Sequence, residues 1–246
     1  MYKLAGKIII VTGGSGLIGK DIINHLTSEG AIAINAEINV EDALENGVIH
    51  CDVTAKESIQ LAIEKIVMRY QRIDGWVNNA YPRTPDWGLA FEEVPTESWN
   101  QNVDWQLNSV FVCSQIVLKI MQKQQSGSIV NISSIYGVVG PDFAIYKGTG
   151  MTMPAAYAAI KGGIVNLTRY LASYYGRDKI RINCVSPGGI FNNQNEEFVK
   201  HYESKVPMGR MGLSVEIAPA ISFLLSDDAS YITGHNLMID GGWTAI

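Results

Sequence analysis

The chain has 246 residues, of which 47% are apolar and 17% charged, and it carries a formal net charge of -5. That size and apolar content suit one α/β domain that buries roughly 70–75% of its unfolded surface. The acidic balance excludes a broad phosphate-neutralising surface for nucleic acid, and no apolar run approaches the roughly 20 residues of a membrane span.

The amino-terminal stretch Met1-Tyr2-Lys3-Leu4-Ala5-Gly6-Lys7 lacks the apolar core and small-residue cleavage site of a signal peptide, so a soluble, cytoplasmic protein is expected. Short β-branched or apolar runs then alternate with longer segments of helical period, the pattern of a parallel sheet with crossover helices. Lys7–Val11 reads as the first strand, and Thr12-Gly13-Gly14-Ser15-Gly16-Leu17-Ile18-Gly19 as the turn into the first helix. Gly13 suits a tight turn, Gly16 the close approach of a phosphate to the backbone, and Gly19 the packing of helix on strand. Glycine-rich turns also occur as plain connections, so the loop points to a dinucleotide through its context. Part of that context is Glu37, which follows the second strand, Ala31–Ile34. A carboxylate there accepts hydrogen bonds from an adenosine ribose and repels a 2′-phosphate; a solvated acid at a strand end has the same spacing.

The third strand, Val48–His50, leads to Asp52 and then to Thr54 and Glu57, whose spacing predicts a capping box opening the next helix. Gly75–Val77 and Ser128–Ile132 read as the fourth and fifth strands. From Ala155 onward Ile160, Ile164, Leu167, Leu171 and Tyr174 recur at steps of three and four, predicting a helix that ends near Gly176. Tyr157 and Lys161 stand four apart on the edge of that stripe, so their side chains leave the helix on one face. Arg181–Val185 and Asn236–Ile239 complete seven strands. Such apolar strands indicate burial on both faces, and the expected fold over residues 1–246 is a single α/β domain of Rossmann type, a doubly wound parallel sheet with helices on both faces. Cys51, Cys113 and Cys184 are widely spaced and lack C-x-x-C pairing, so they are expected as small core residues, with no disulfide and no metal site.

Taken in order, the glycine loop, Glu37, Asp52-Val53, Asn78-Asn79-Ala80, Ile132-Ser133-Ser134, Tyr157 with Lys161, Ser186-Pro187-Gly188 and Ile239-Asp240-Gly241-Gly242-Trp243 resemble the motifs of the short-chain dehydrogenase/reductase family. The resemblance runs from Gly6 to Gly242 and implies an NAD(H)-dependent enzyme interconverting a secondary alcohol and a ketone. It implies Ser134, Tyr157 and Lys161 as catalytic, with Gln106 standing where the family has an asparagine. It implies cofactor contacts from Gly13, Ser15, Gly16, Leu17, Ile18, Gly19, Glu37, Asp52, Val53, Asn79, Ala80 and Tyr81. Further contacts fall on Tyr157, Lys161, Pro187, Gly188, Ile190 and Asn192. A homo-oligomer, tetramer or dimer, is implied as well. The residue types suit the chemistry. A free tyrosine titrates near ~10, and an ammonium one helical turn away favours its phenolate. Ser134 would donate to the substrate oxygen as charge develops on it.

Several residues depart from the family pattern. The glycine spacing G-x-x-G-x-x-G is closer to the extended branch, although the tail matches the compact one. Tyr81 stands where glycine is usual, Gln106 for asparagine, and Asn192 for threonine. Three functions therefore stand side by side: an oxidoreductase, a catalytically silent NAD-binding regulatory or scaffold protein, and a sugar-nucleotide epimerase or dehydratase of the extended branch. The 23 positions from Ser134 to Tyr157 exceed the compact spacing, which makes 137–151 an inserted loop beside the substrate. Its Asp142, Tyr146, Lys147 and Thr149, with Tyr81, Arg83 and Trp87 after the fourth strand, suit a polyhydroxylated substrate such as a sugar or polyol. Lys147 or Arg83 would read a phosphate or carboxylate on it.

Overall fold

A computed structural model describes residues 3–246. Seven strands form one all-parallel sheet: β1 Ile8–Thr12, β2 Ile32–Glu37, β3 Val48–His50, β4 Gly75–Asn78, β5 Gly127–Ile132, β6 Ile180–Pro187 and β7 Asn236–Ile239. Their order across the sheet is β3-β2-β1-β4-β5-β6-β7. The chain runs outward from β1 to β3, then crosses back to place β4 on the other flank of β1. That reversal opens a crevice at the carboxyl ends of β1 and β4, where ligands of such sheets bind.

The helices are α1 Gly19–Ser28, α2 Lys56–Tyr70, α3 Thr96–Val103, α4 Ser109–Gln124, α5 Ala155–Tyr175, α6 Glu196–Glu203 and α7 Ala218–Leu225. Strand β1 shows how they form two layers. Its Ile8 and Ile10 pack with Ile59, Ile63 and Ile66 of α2, Val117 of α4 and Leu171 of α5. Its Ile9 and Val11 pack on the opposite face with Ile22 and Leu26 of α1 and Ile221 and Leu224 of α7. Alternate side chains of a strand point to opposite faces, so a run of isoleucines feeds both cores at once. Loss of any one of these side chains to alanine costs about 2–5 kcal/mol.

The expected helix from Ala155 ends at Tyr175 with Gly176 as its cap. The expected capping box of Thr54 and Glu57 does not form. Thr54 donates both its N–H and its hydroxyl to Asp52 Oδ1, at 2.8 and 2.7 Å, and α2 starts beyond it with Ala55 at the cap position. Cys51, Cys113 and Cys184 are buried and free, as small core residues should be. Among the described residues no helix is long and apolar enough to cross a membrane.

Candidate active site

A cleft of about 1060 Å³ follows the carboxyl ends of the central strands. At its first end the glycine loop leaves β1. Gly13 sits at φ +65°, and a Cβ there would lie 2.9 Å from Ala80 Cα, so both conformation and space require glycine. A Cβ at Gly19 would overlap the Gly13 carbonyl. Thr12 Oγ1 accepts the N–H groups of Asn79 and Ala80 at 3.0 and 3.1 Å, and Asn79 Nδ2 donates to the carbonyls of Thr12 and Gly13 at 3.0 and 2.9 Å. These bonds stitch the ends of β1 and β4 together and fix the loop at the crevice.

Glu37 ends β2 beside this loop. Its carboxylate accepts the N–H of Ser15 at 3.3 Å and of Ile38 at 2.9 Å. No side chain caps α1, and Leu17 and Ile18 just before it line the cleft with its first residue, Gly19. The positive end of a helix dipole thus faces the space between Gly16 and Glu37.

At the other end, β5 delivers Ser133 and Ser134 and α5 delivers Tyr157 and Lys161. Lys161 is 7% exposed, and its ammonium donates to the Ile132 carbonyl at 2.9 Å and lies 5.5 Å from the ring centres of both Tyr81 and Tyr157. Burial without a carboxylate partner pulls its pKa down to about 8. Ser133 secures the same helix turn by donating to the Lys161 carbonyl at 2.8 Å. The expected lowering of Tyr157 by Lys161 is not what the geometry gives. Burial pushes the phenol up, and the neighbouring Ser134 hydroxyl pulls it partly back. Tyr81, Trp87 and Tyr157 meet edge to face, with ring centres 5.8–6.3 Å apart.

Nearly all the expected site residues meet on this one wall. Gly13, Gly16, Leu17, Ile18, Gly19, Glu37, Asp52 and Val53 line the first arm. Asn79, Ala80, Tyr81, Ser134, Tyr157 and Lys161 line the centre, and Pro187, Gly188, Ile190 and Asn192 the far side. Ser15 and Gln106 are the exceptions. The Ser15 hydroxyl is turned to Asn35, whose Nδ2 donates to it at 2.9 Å. Gln106 lies in a π-helical turn, Asp104–Asn108, that joins α3 to α4 and packs on α5. The wide turn puts Trp105 on the cleft wall and buries Gln106 behind it, 3% exposed and with neither amide atom bonded among the described residues.

Segment 137–151 also departs from expectation. It winds a 3₁₀ turn, Phe143–Tyr146, that buries Ile145 and Tyr146 against Phe198, Tyr202, Val206 and Met211. Lys147 follows at the outer end of the turn and is exposed, off the cleft wall. Asp142 pairs with Lys205 at 3.0 Å, and Thr149 Oγ1 donates to the Tyr146 carbonyl at 2.7 Å. Of the segment's expected polar readers, only Tyr146 reaches the cleft; Arg83 reaches it from the loop after β4. Sequence reasoning missed Tyr136, Phe198, Tyr202 and Met211, which also form the wall. Tyr136 had a signal, since it stands two positions after Ser134.

Comparison with known proteins agrees with this geometry. A family model described as enoyl-(acyl carrier protein) reductase matches residues 18–244. The chain belongs to the short-chain dehydrogenase/reductase family. It is similar to the post-translational flagellin modification protein A of Campylobacter coli, 36% identical across 98% of this chain and 99% of the relative. It is also similar to the 2,5-dichloro-2,5-cyclohexadiene-1,4-diol dehydrogenase of Sphingobium indicum, 34% identical across the full length of both. A short-chain dehydrogenase structure from Leptospira borgpetersenii with bound NAD+ superposes with a TM-score of 0.89 at 34% identity, covering 98% of this chain and 94% of that one. As a short-chain dehydrogenase/reductase the protein is an oxidoreductase acting on CH–OH groups. The family's nicotinamide cofactor fits the cleft: a Cβ at Gly16 would meet only the Gly13 carbonyl, so the loop's other side lies open beside the uncapped helix end.

Proposed function

We propose that this enzyme interconverts a secondary alcohol and a ketone on a polyhydroxylated, ring-shaped substrate bearing an anionic group, with NAD(H) preferred to NADP(H). The observation that carries the reading is the sorting of charge along one cleft. Glu37 and Asp52 stand at the nucleotide end, while the cationic wall residues Arg83 and Lys161 stand at the catalytic end. A 2′-phosphate beside Glu37 would meet a carboxylate with no wall cation to offset it, whereas two ribose hydroxyls can donate to it.

When bound, the nicotinamide supplies the hydride for ketone reduction or accepts it in the reverse direction. The Tyr157 hydroxyl gives its proton to the developing alkoxide, or takes one from the alcohol. Ser134 donates to the same oxygen and stabilises the charge that develops on it. Lys161, tied to the Ile132 carbonyl, holds its ammonium 5.5 Å from the centre of the Tyr157 ring. Arg83 is exposed at the mouth, stacked on Tyr81 with 5.6 Å between its guanidinium and the ring centre, and paired with no acid among the described residues. It is placed to receive a phosphate or carboxylate. The diol named for the Sphingobium relative is a ring with two hydroxyls, which shares the ring and hydroxyls of the class proposed here but not its anionic group. Nothing in the site favours a silent scaffold.

Fluorescence titration of both cofactors, followed by a panel of ring alcohols, polyols and their phosphates, tests the reading. NADH is expected to bind about tenfold tighter than NADPH, and Arg83→Ala to raise KM about tenfold for anionic members alone. Equal cofactor affinities would remove the NAD assignment. An unchanged KM for anionic members would remove Arg83 as the anion reader.

A further inference from the structure

The substrate arm contains two phenols that the Tyr157 chemistry does not use. Tyr136 belongs to the 3₁₀ turn directly after Ser134, and Tyr146 to the 3₁₀ turn Phe143–Tyr146. Both line the cleft, and each is 7% exposed. The backbone explains why they meet. Ser134 Oγ accepts the Tyr136 N–H at 3.2 Å, which turns Tyr136 back toward the cleft. Asp142 Oδ1 accepts the Ala144 N–H at 2.9 Å and starts the turn that points Tyr146 inward. The Tyr146 ring is braced on Phe198 of α6, with ring centres 5.4 Å apart.

Their hydroxyl oxygens stand 3.4 Å apart, longer than a good O–H···O bond, and neither has another partner among the described residues. A phenol offers one donor and accepting lone pairs. Only one of the two O–H groups can be directed at the other oxygen. The second is left facing the cleft, with unused lone pairs on both oxygens. A hydroxyl on a bound molecule both accepts and donates and so satisfies the pair. A methylene does neither and strands buried polar atoms, the situation in which a site built for hydrogen bonds rejects the analogue lacking them.

We infer that Tyr136 and Tyr146 form a hydroxyl-reading subsite, which selects ring substrates carrying a second oxygen besides the one held by Ser134 and Tyr157. The inference rests on the ring-alcohol reading above and narrows it.

The test uses the NADH complex of the whole protein and neutral probes: cyclohexanol and the three cyclohexanediol regioisomers. Dissociation constants come from ligand-observed NMR titration, which requires no turnover. At least one diol is expected to bind about tenfold tighter than cyclohexanol, and Tyr136→Phe and Tyr146→Phe each to cut that ratio to about threefold or less while cyclohexanol binding stays put. Both substitutions retain the rings and their packing, and thermal midpoints check that the fold is unchanged. Diols that bind no better than cyclohexanol, or a preference that survives both substitutions, would overturn the subsite. A diol preference lost in both variants, with no ring alcohol oxidised by NAD+, would uphold the subsite and count instead against the proposed reaction.

Discussion

Lys161 carries its ammonium into the protein from α5, bonded to the Ile132 carbonyl at 2.9 Å and flanked by two aromatic rings. Its pKa in the fold is about 8, against ~10.4 for a free lysine, and the sign of the consequence follows. Between those two values the unfolded chain binds a proton that the folded one lacks, so folding stability rises with pH across that window. Below it the cost of burying the charge is present in full. Lys161→Met is therefore expected to stabilise the cofactor-free protein by about 1–2 kcal/mol near neutral pH, raising its thermal midpoint by about 2–6 °C, while activity is lost. A lower midpoint in calorimetry would show that the Ile132 bond and the two rings outweigh desolvation. Function here retains a residue that stability alone would not.

Among the elements, the strands were the most legible. Each expected strand exists because a β-branched run buried between two helical layers has no other stable place, although β2 extends to Glu37 and β6 to Pro187. The glycine loop was legible for the same local reason, since its backbone demands are met within a few residues. Gly13→Ala is predicted to cost about 1–3 kcal/mol, because φ is +65° and the new Cβ would press on Ala80 Cα at 2.9 Å. Thermal melting reads this directly; an unchanged midpoint would show that the loop relaxes freely. The π-helical turn at Asp104–Asn108 was not legible, because apolar spacing does not separate it from an ordinary helix, and with it went the place of Gln106. Nor could the sequence say which side of the Phe143–Tyr146 turn faces inward. Tyr146 is buried and its neighbour Lys147 exposed through contacts with α6, a segment far along the chain.

For the whole molecule, the exposed aromatic side chains on the outer helices carry an expectation about assembly. Phe111 on α4 and Tyr170 and Tyr174 on α5 are 46%, 62% and 65% exposed, and the two tyrosines stack on each other. A dimer or tetramer closing over these helices is expected in solution, and light scattering that gives a monomer mass at micromolar concentration would contradict it. At this scale one cleft joins the proposed dinucleotide arm to a proton-transfer end centred on Tyr157. Tyr157→Phe tests it most directly, with turnover of the best alcohol and NADH affinity measured on the same preparation. The expected outcome is a loss of roughly a thousandfold or more in kcat, with the NADH dissociation constant within about twofold of the wild type. A variant that keeps a tenth or more of the wild-type rate, about 1.4 kcal/mol or less in the barrier, would contradict it.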